Sequence, residues 1–478
     1  MALSNFVRAC LLFAFVLSVM NERAHGLMPE HQQQPLETLL RSGPLQLDKP
    51  QDVVQTEGGS IRSWCSSDIL RCTQVDICET TLRENGLAIP KYIDAPSIAY
   101  IMQGCGMLGI SYPYEGEFRQ KYYVRRVKAG DVVAVPKGVV IWLCNDGREE
   151  QRVMCAADTS KATNPGGTVK PFFLSGAKTR EFSGLWHGFS EDTIAQALGV
   201  DESTVRKLLT SQKDAVITKT RHKISLPFPE RRRQHENAAG AEFTYTTECG
   251  KADLVVKNGG WMSMVTRNKL PMLAHVGMSA VRVNLEPEAM IAPLWSPNAH
   301  QIVRVQRGNG KIEVASNNGD RLLHTDLKEN DLIVIPKFFP STIIAGENGL
   351  DLIKILTCDS PVASYFAGGN SVYKGIPPQV LAEAFSIDLE EELDIRRRRT
   401  KHEVILPACK QGRREHQRSH EDDHCQQASV EDLNDKGRRE HQRNHEDDHC
   451  QQASVENSND EDRPSLVEAV LSWADEHF

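Results

Sequence analysis

The sequence predicts a mainly β protein that contains two similar barrels or sandwiches. The segment 98–106 (IAYIMQGCG) is matched in outline by 302–310 (IVRVQRGNG). A second block, 129–136 (AGDVVAVP), is matched by 329–336 (ENDLIVIP). In both halves the apolar segments are short and are punctuated by Gly and Pro, as in closed β folds. Because the repeat is at the scale of a domain, it indicates two copies of one fold.

Length and charge agree with that arrangement. The chain has 478 residues, which predicts two domains and additional segments. Its formal net charge of -8 is modest for this size. The composition therefore indicates neither a nucleic-acid partner nor a membrane partner.

Residues 1–26 have the pattern of a secretory signal peptide. Arg8 precedes an apolar stretch over 9–20, and the small-residue cleavage site ends at Gly26. A membrane anchor is the alternative, but spanning a bilayer takes about 20 apolar residues, and this stretch is shorter. We therefore expect a protein of the secretory pathway with no membrane partner.

The predicted secretory route would place the cysteines of this protein in an oxidising compartment. Of the twelve, Cys10 lies in the predicted signal peptide, so an odd number remains and at least one thiol is free or bonded between chains. Cys65, Cys72 and Cys78 lie close together in the sequence and are candidates for one disulfide bond. Four others lie in apolar segments and should pack as small hydrophobic side chains, namely Cys105, Cys144, Cys155 and Cys358.

Each half is predicted to continue into a helical arm, a pair of amphipathic helices. The first arm covers 190–209 and the second covers 377–395. Their apolar residues recur at helical spacing and should bury one face of each helix. Related helices with apolar faces are also what an assembling subunit presents, so the arms favour self-association.

Two polar segments complete the predicted organisation. Residues 230–242, which include ERRRQHENAAG, are expected to form an exposed linker. Residues 410–478 contain a near-identical polar repeat and are expected to be disordered or marginally helical. The predicted order is signal peptide (1–26), N-terminal segment (27–44), first domain with its arm (45–229), linker (230–242), second domain with its arm (243–409) and tail (410–478).

Histidines in the tail form a weak candidate metal site. Within each repeat they are four residues apart, so a helix would place them on one face, beside a cysteine, where Zn or Cu is a plausible ligand. The alternative, which we favour, is a solvated, nitrogen-rich segment that binds nothing. The candidate residues are His416, His420, His424, Cys425, His441, His445, His449 and Cys450.

These motifs resemble the legumin-type (11S) seed storage globulins of the cupin superfamily. The similarity extends over residues 45–410 and is carried mainly by 95–109 (APSIAYIMQGCGMLG), 290–300 (MIAPLWSPNAH) and 334–337 (VIPK). It implies a bicupin of two jelly-roll barrels with helical extensions, assembling as homotrimers and then hexamers. It further implies a non-enzymatic nutrient reservoir of seed or spore. Such a protein is kept in a protein storage vacuole and degraded on germination.

The sequence departs from this family at its processing sites. An asparaginyl protease cuts legumin precursors at Asn-Gly, just before a Cys that links the two products. Here the linker has no Asn-Gly, its nearest Asn is Asn237, and Cys249 takes the position of the linking Cys. Glu115 stands where the partner Cys is usual. We therefore expect any such cut at Asn237, alongside cuts by other vacuolar proteases, and expect packing to hold the two halves together.

The resemblance also locates where a cupin enzyme would hold a metal, with a His-x-His pair, a Glu and a later His. These cupin metal positions are Tyr92, Asp94, Ala99 and Ile141 in the first barrel and Trp295, Pro297, Val303 and Ser341 in the second. His300 is nearby and is expected to be a hydrogen-bonded or solvent-facing histidine of a turn. The sequence therefore predicts packed barrels with no cofactor, no catalytic metal and no enzyme activity.

Two other functional classes stay open. A germin-like cupin of the secretory pathway, binding a metal or another ligand, is the main alternative, although the residues at the cupin metal positions do not favour it. A defence or sugar-binding bicupin is a further one. Metal analysis separates the first of these from a storage globulin.

Overall fold

The computed structural model describes residues 45–47, 49–64, 67–114, 117–224, 241–248, 250, 252–398 and 404–408. They form two β-barrels, each followed by a pair of helices, and the predicted fold class is confirmed. The predicted signal peptide, the N-terminal segment and the tail lie outside the described residues. Among the described helices, none has the length and apolar character needed to cross a bilayer.

The first barrel is built from two antiparallel sheets. Its strands are β1 (Gln51–Thr56), β2 (Gly59–Ser63), β3 (Val75–Leu82), β4 (Gly86–Ile93), β5 (Ser97–Gln103), β6 (Cys105–Tyr114), β7 (Glu117–Lys128), β8 (Asp131–Val135), β9 (Val140–Cys144), β10 (Gln151–Asp158), β11 (Pro171–Phe173), β12 (Ile217–Lys219) and β13 (Thr244–Thr246). One sheet has the order β1-β2-β3-β10-β5-β8-β13. The other has the order β11-β4-β9-β6-β7, and β12 also pairs with β4.

The second barrel repeats this plan with longer strands. They are β14 (Leu254–Val256), β15 (Gly260–Val265), β16 (Ser279–Leu285), β17 (Met290–Trp295), β18 (Gln301–Ala315), β19 (Arg321–Lys328), β20 (Leu332–Ile335), β21 (Ser341–Leu356), β22 (Ser364–Tyr365) and β23 (Ile405–Leu406). β18 pairs with β19, β20 and β21, and so takes the place of both β5 and β6. The first barrel breaks between those two strands at Gly104, whose φ of 75° lies in the left-handed region.

The helices are short and have clear end signals. They are α1 (Asp68–Cys72), α2 (Glu191–Leu198), α3 (Glu202–Thr210), α4 (Leu273–Val276), α5 (Pro378–Phe385) and α6 (Leu389–Arg397). Ser190 and Asp201 cap α2 and α3 by accepting backbone hydrogen bonds from residues three positions on. Gly199 ends α2 in the left-handed conformation. The helical arms are therefore α2 with α3 and α5 with α6.

Short segments are exchanged between the two barrels. Residues 45–47 lie against β20 of the second barrel, where Leu47 N donates to Leu332 O at 2.8 Å and Val334 N donates to Leu45 O at 2.9 Å. Reciprocally, β13 pairs with β8 of the first barrel, with Thr244 opposite Val133. The strand β13 falls inside the predicted second domain, yet it completes a sheet of the first. The order of the segments along the chain did not indicate either pairing. Together, the pairing of residues 45–47 with β20 and that of β13 with β8 join the two barrels.

The end of the predicted linker is also folded. Ala241–Phe243 form a turn of 3₁₀ helix, and Glu242 accepts a hydrogen bond from Tyr112 Oη at 3.1 Å. Phe243 is only 1% exposed and packs its ring against that of Tyr112. Glu242, at the end of the predicted linker, is thus anchored to the first barrel by its hydrogen bond and by the aromatic contact of the adjacent Phe243.

Side chains on the first sheet of the first barrel, which contains β3, β10 and β5, alternate between its two faces. Ile77, Met154 and Tyr100 share one face, and Tyr100 Oη donates to Gln306 Oε1 of the second domain at 3.4 Å. Leu82 is on the opposite face and belongs to a buried cluster with Ile89 of the facing sheet. The first face therefore meets the second domain, and the Leu82 face is the interior of the first barrel.

Candidate functional site: the barrel interiors

The cupin metal positions of the first barrel do not converge. The register of β4 and β9 places Ile141 directly opposite Lys91, so Lys91 rather than Tyr92 shares its face. Tyr92 stacks on Phe172 of β11, with 4.9 Å between the ring centroids. A β-bulge in β4 between Ala88 and Lys91 shifts this register, which the sequence alone did not indicate.

Asp94, the one carboxylate among these positions, is used by the fold. Its Oδ1 accepts from Lys170 N at 2.7 Å, and its Oδ2 accepts from Thr163 N at 3.2 Å. Ala99 lies opposite Cys155 and offers no donor atom. Within the described ranges, no group of three or more His, Cys, Asp and Glu residues is placed to hold a metal ion. Asp94 therefore orders the loop between β10 and β11.

The corresponding positions of the second barrel are similarly occupied. Trp295 packs against Phe366 at 5.0 Å between centroids, and Pro297 lies in the bend that follows β17. Val303 is fully buried, and Ser341 pairs with Leu294. These side chains fill space, and none of them is a strong metal ligand.

His300 is a hydrogen-bonded histidine of a turn. Its Nδ1 accepts from Lys337 N at 3.1 Å, and its backbone N donates to Thr357 Oγ1 at 2.9 Å. Burial, assisted by the charge of Lys337, lowers the pKa of His300 to about 4. The imidazole is therefore neutral at neutral pH, and one of its two nitrogens is already engaged.

The second barrel contains a buried lysine that the sequence analysis did not predict. Lys354 on β21 is 6% exposed and lies between Val281 and Val303 of the flanking strands. Its Nζ donates to Gln301 Oε1 at 3.3 Å. Burial lowers the pKa of Lys354 to about 8. The sequence feature that could have predicted its burial is its position within the apolar run 352–356 (LIKIL).

Glu79 is the centre of a charged cluster at the interface of the two domains. It is 1% exposed on β3, and its Oε2 accepts from Arg304 Nη2 of the second domain at 2.7 Å. Its Oε1 accepts from Arg152 Nη2 at 3.0 Å and also from Arg62. Arg304 and Arg152 both bond Asn330 as well. One carboxylate thus binds three guanidinium groups, two from the first barrel and one, that of Arg304, from across the interface.

The charges of this cluster are mutually dependent. Burial disfavours the ionised Glu79, but Arg304, Arg152 and Arg62 outweigh it and keep the pKa of Glu79 below its ordinary value. Arg304 is 2% exposed and lies over the Trp64 ring, 5.5 Å from its centroid. A buried guanidinium needs such a counter-charge, so Glu79 and Arg304 should fix how the two barrels meet.

The helical arms leave apolar side chains unburied. The inner faces are packed, since Ile194 and Val205 are fully buried and Leu381 is 6% exposed. Six large apolar residues of the arms are nevertheless at least 40% exposed, namely Leu198, Leu208, Val380, Phe385, Leu389 and Ile395. Such a concentration is typical of a surface that binds another protein.

The remaining predicted site residues are only partly visible. Cys72 at the end of α1 and Cys78 in β3 carry free thiols. The other disulfide and processing candidates and the tail ligands fall outside the described residues, namely Cys65, Cys249, Gly26, Asn237, His416, His420, His424, Cys425, His441, His445, His449 and Cys450.

Comparison with known proteins agrees with this architecture. The chain is 26% identical over 407 residues to 11S globulin seed storage protein 2 of Sesamum indicum, covering 74% of this chain and 88% of that one. It is 27% identical over 404 residues to glutelin type-D 1 of Oryza sativa subsp. japonica, covering 73% and 83%. The crystal structure of the coconut allergen cocosin matches with a TM-score of 0.69 and 26% identity, covering 76% of this chain and 98% of that one.

The family assignment rests on both halves of the chain. The Cupin family model matches residues 45–206 and 248–393, one match for each barrel. Both matches include the strands that carry the cupin metal positions. The chain belongs to the cupin family, and the relatives that it resembles over most of its length include 11S seed storage globulins.

Proposed function

We propose that this protein is a non-enzymatic nutrient reservoir of storage tissue. The observation that carries the proposal is the occupancy of the cupin metal positions. Asp94 binds backbone amides, and the neutral His300 accepts from Lys337 N, so neither barrel gathers a ligand set among its described residues. The relatives are named as seed storage proteins, which supports the storage role over a germin-like cupin.

Metal analysis of the purified protein tests the non-enzymatic part of this proposal. We expect a chain that ends at Ala408, and so lacks the tail histidines, to contain far less than one equivalent of Mn, Fe, Cu or Zn. The full-length chain is the matched comparison, because metal present only there belongs to the tail. A stoichiometric metal in the truncated chain would contradict the proposal and favour the germin-like alternative.

We further propose that the chain assembles head to tail as a homotrimer, two of which form a hexamer. The two halves of a chain are similar, so the arm of one half can contact the other half of a neighbour and close a ring. The exposed apolar residues of both arms support this proposal, since burial on a neighbour removes them from water.

Charge placed on the arms should dissociate this assembly. Leu198 is 43% exposed and Phe385 is 57% exposed, so Leu198→Asp with Phe385→Asp should leave the monomer fold intact. Light scattering at micromolar concentration should show no stable monomer for the wild type and monomers for the double variant. Val255→Asp is the control, because Val255 is 51% exposed but lies on β14, outside the arms. A trimer that persists in the double variant would exclude the arms as the interface.

The cellular route is also a proposal. A signal peptide that ends at Gly26 would deliver the chain to the secretory pathway and a protein storage vacuole. There, asparaginyl and other vacuolar proteases would open the linker, with Asn237 as the site of the asparaginyl enzyme. The folded contact of Glu242 with Tyr112 supports a cut before residue 241, because the chain beyond that point is held by the first barrel.

A further inference from the structure

We propose that Cys78 and Cys155 form a reversible cross-strand disulfide bond inside the first barrel. The two residues are directly opposite each other on the antiparallel strands β3 and β10. Directly paired residues of such strands have Cα atoms about 4.5–5.5 Å apart, which is within the range that a disulfide bond requires. Both side chains lie on the Leu82 face, which is the interior of the barrel.

The two thiols are near enough for each to shift the pKa of the other. The neighbouring Cys78 thiol lowers the pKa of Cys155, with a smaller contribution from the charge of Lys91, while burial opposes the shift. The neighbouring Cys155 thiol, together with burial, raises the pKa of Cys78. Cys155 is therefore the first of the pair to become a thiolate, which is the nucleophilic form.

The pair is a property of the first barrel alone. Val281 and Lys354 occupy the equivalent positions of the second barrel, on β16 and β21. Both cysteine residues are partly exposed, and treatment with oxidised glutathione measures whether a small oxidant reaches their thiols. The proposal does not depend on the storage function, since it requires only the folded barrel and an oxidising medium.

The reaction is a thiol–disulfide exchange with a small-molecule disulfide, RSSR, as the oxidant. The Cys155 thiolate attacks one sulfur of RSSR, forming a mixed disulfide and releasing RS⁻. Cys78 then loses its proton and attacks Cys155 Sγ, which forms the Cys78–Cys155 bond and releases a second RS⁻. The protons of the two cysteines end on the two RSH molecules. Two thiols are oxidised and one RSSR is reduced.

The direct test is peptide mapping of the folded full-length protein after incubation with oxidised glutathione. Thiols are blocked by alkylation, the protein is digested without reductant, and linked peptides are identified by mass spectrometry. We expect a peptide pair joined through Cys78 and Cys155 that disappears after reduction with dithiothreitol. Recovery of both residues as alkylated thiols, or of glutathione on Cys155 without the linkage, would overturn the proposal. This test requires no variant to fold.

Thermal melting supplies a second measurement. Oxidation should raise the wild-type Tm by about 5 °C, because the bond closes a long loop of the unfolded chain. The shift should vanish in Cys78→Ser and in Cys155→Ser. It should persist in Cys358→Ser, a control that removes a partly exposed thiol elsewhere. An unchanged shift in both pair variants would also count against the proposal, since another bond would then be responsible.

Discussion

Replacing Glu79 with Gln is expected to lower the free energy of unfolding by about 3–5 kcal/mol. Gln has nearly the same shape as Glu, so the change removes the charge without opening a cavity. Arg304 is 2% exposed and would then be buried at the interface without its carboxylate partner. Chemical denaturation at pH 7 measures the loss, and domain separation before global unfolding would show up as a second transition.

The matched control for this prediction is Glu202→Gln. Glu202 also binds an arginine, Arg206, at 2.7 Å, but both side chains are more than half exposed. Such surface pairs contribute about 0–1 kcal/mol.

The effect of Glu79→Gln should also depend on pH. The folded pKa of Glu79 is depressed, so its contribution is full above the unfolded carboxyl value and is lost as the pH falls through the folded value. Equal losses in both variants would contradict the account.

Replacing Lys354 with Met is expected to stabilise the protein at neutral pH by up to about 3 kcal/mol, the cost of lowering a lysine pKa from 10.5 to about 8. Met has a similar length and needs no desolvation of a charge. Between pH 8 and 10.5 the unfolded state binds the proton that the folded state has released, so wild-type stability should rise with pH in this window. The difference between the two proteins should therefore shrink as the pH rises.

Denaturation curves at several pH values test this prediction, with Lys311→Met as the control. Lys311 is an exposed residue of β18 in the same barrel. Its replacement should change stability little and should leave the pH dependence of the wild type unaltered. A loss of stability in Lys354→Met at pH 7 would show that the ammonium group has favourable contacts that outweigh its burial.

The repeated motifs predicted two similar β domains, and the resemblance to the seed globulins implied that each is a cupin jelly roll. Gly and Pro delimit short apolar segments in each half, and both matching blocks, at 129–136 and 329–336, contain a strand of the barrel. The helical arms were predictable because capping residues such as Ser190 and Asp201 precede apolar residues at helical spacing. Local patterns of this kind depend only on neighbours in the chain.

The contacts between distant parts of the chain were not predictable in this way. Glu79 and Arg304 are 225 residues apart, and no local sequence pattern around either residue indicates that the two form an ion pair. The bulge before Lys91 moves that residue, in place of Tyr92, onto the face of Ile141. Cys78 and Cys155 were assigned to different roles because their pairing depends on the register of β3 and β10. Register and edge exchange are set by packing across the whole barrel.

The abundance of this protein through germination is the most direct measure of its proposed role. Quantitative mass spectrometry would follow the intact chain and its fragments from mature storage tissue to the established seedling, with a resident secretory chaperone as the reference. The account predicts that the chain is among the major proteins of the mature tissue and falls steeply relative to the reference as germination proceeds. A low abundance that stays constant throughout would contradict a nutrient reservoir.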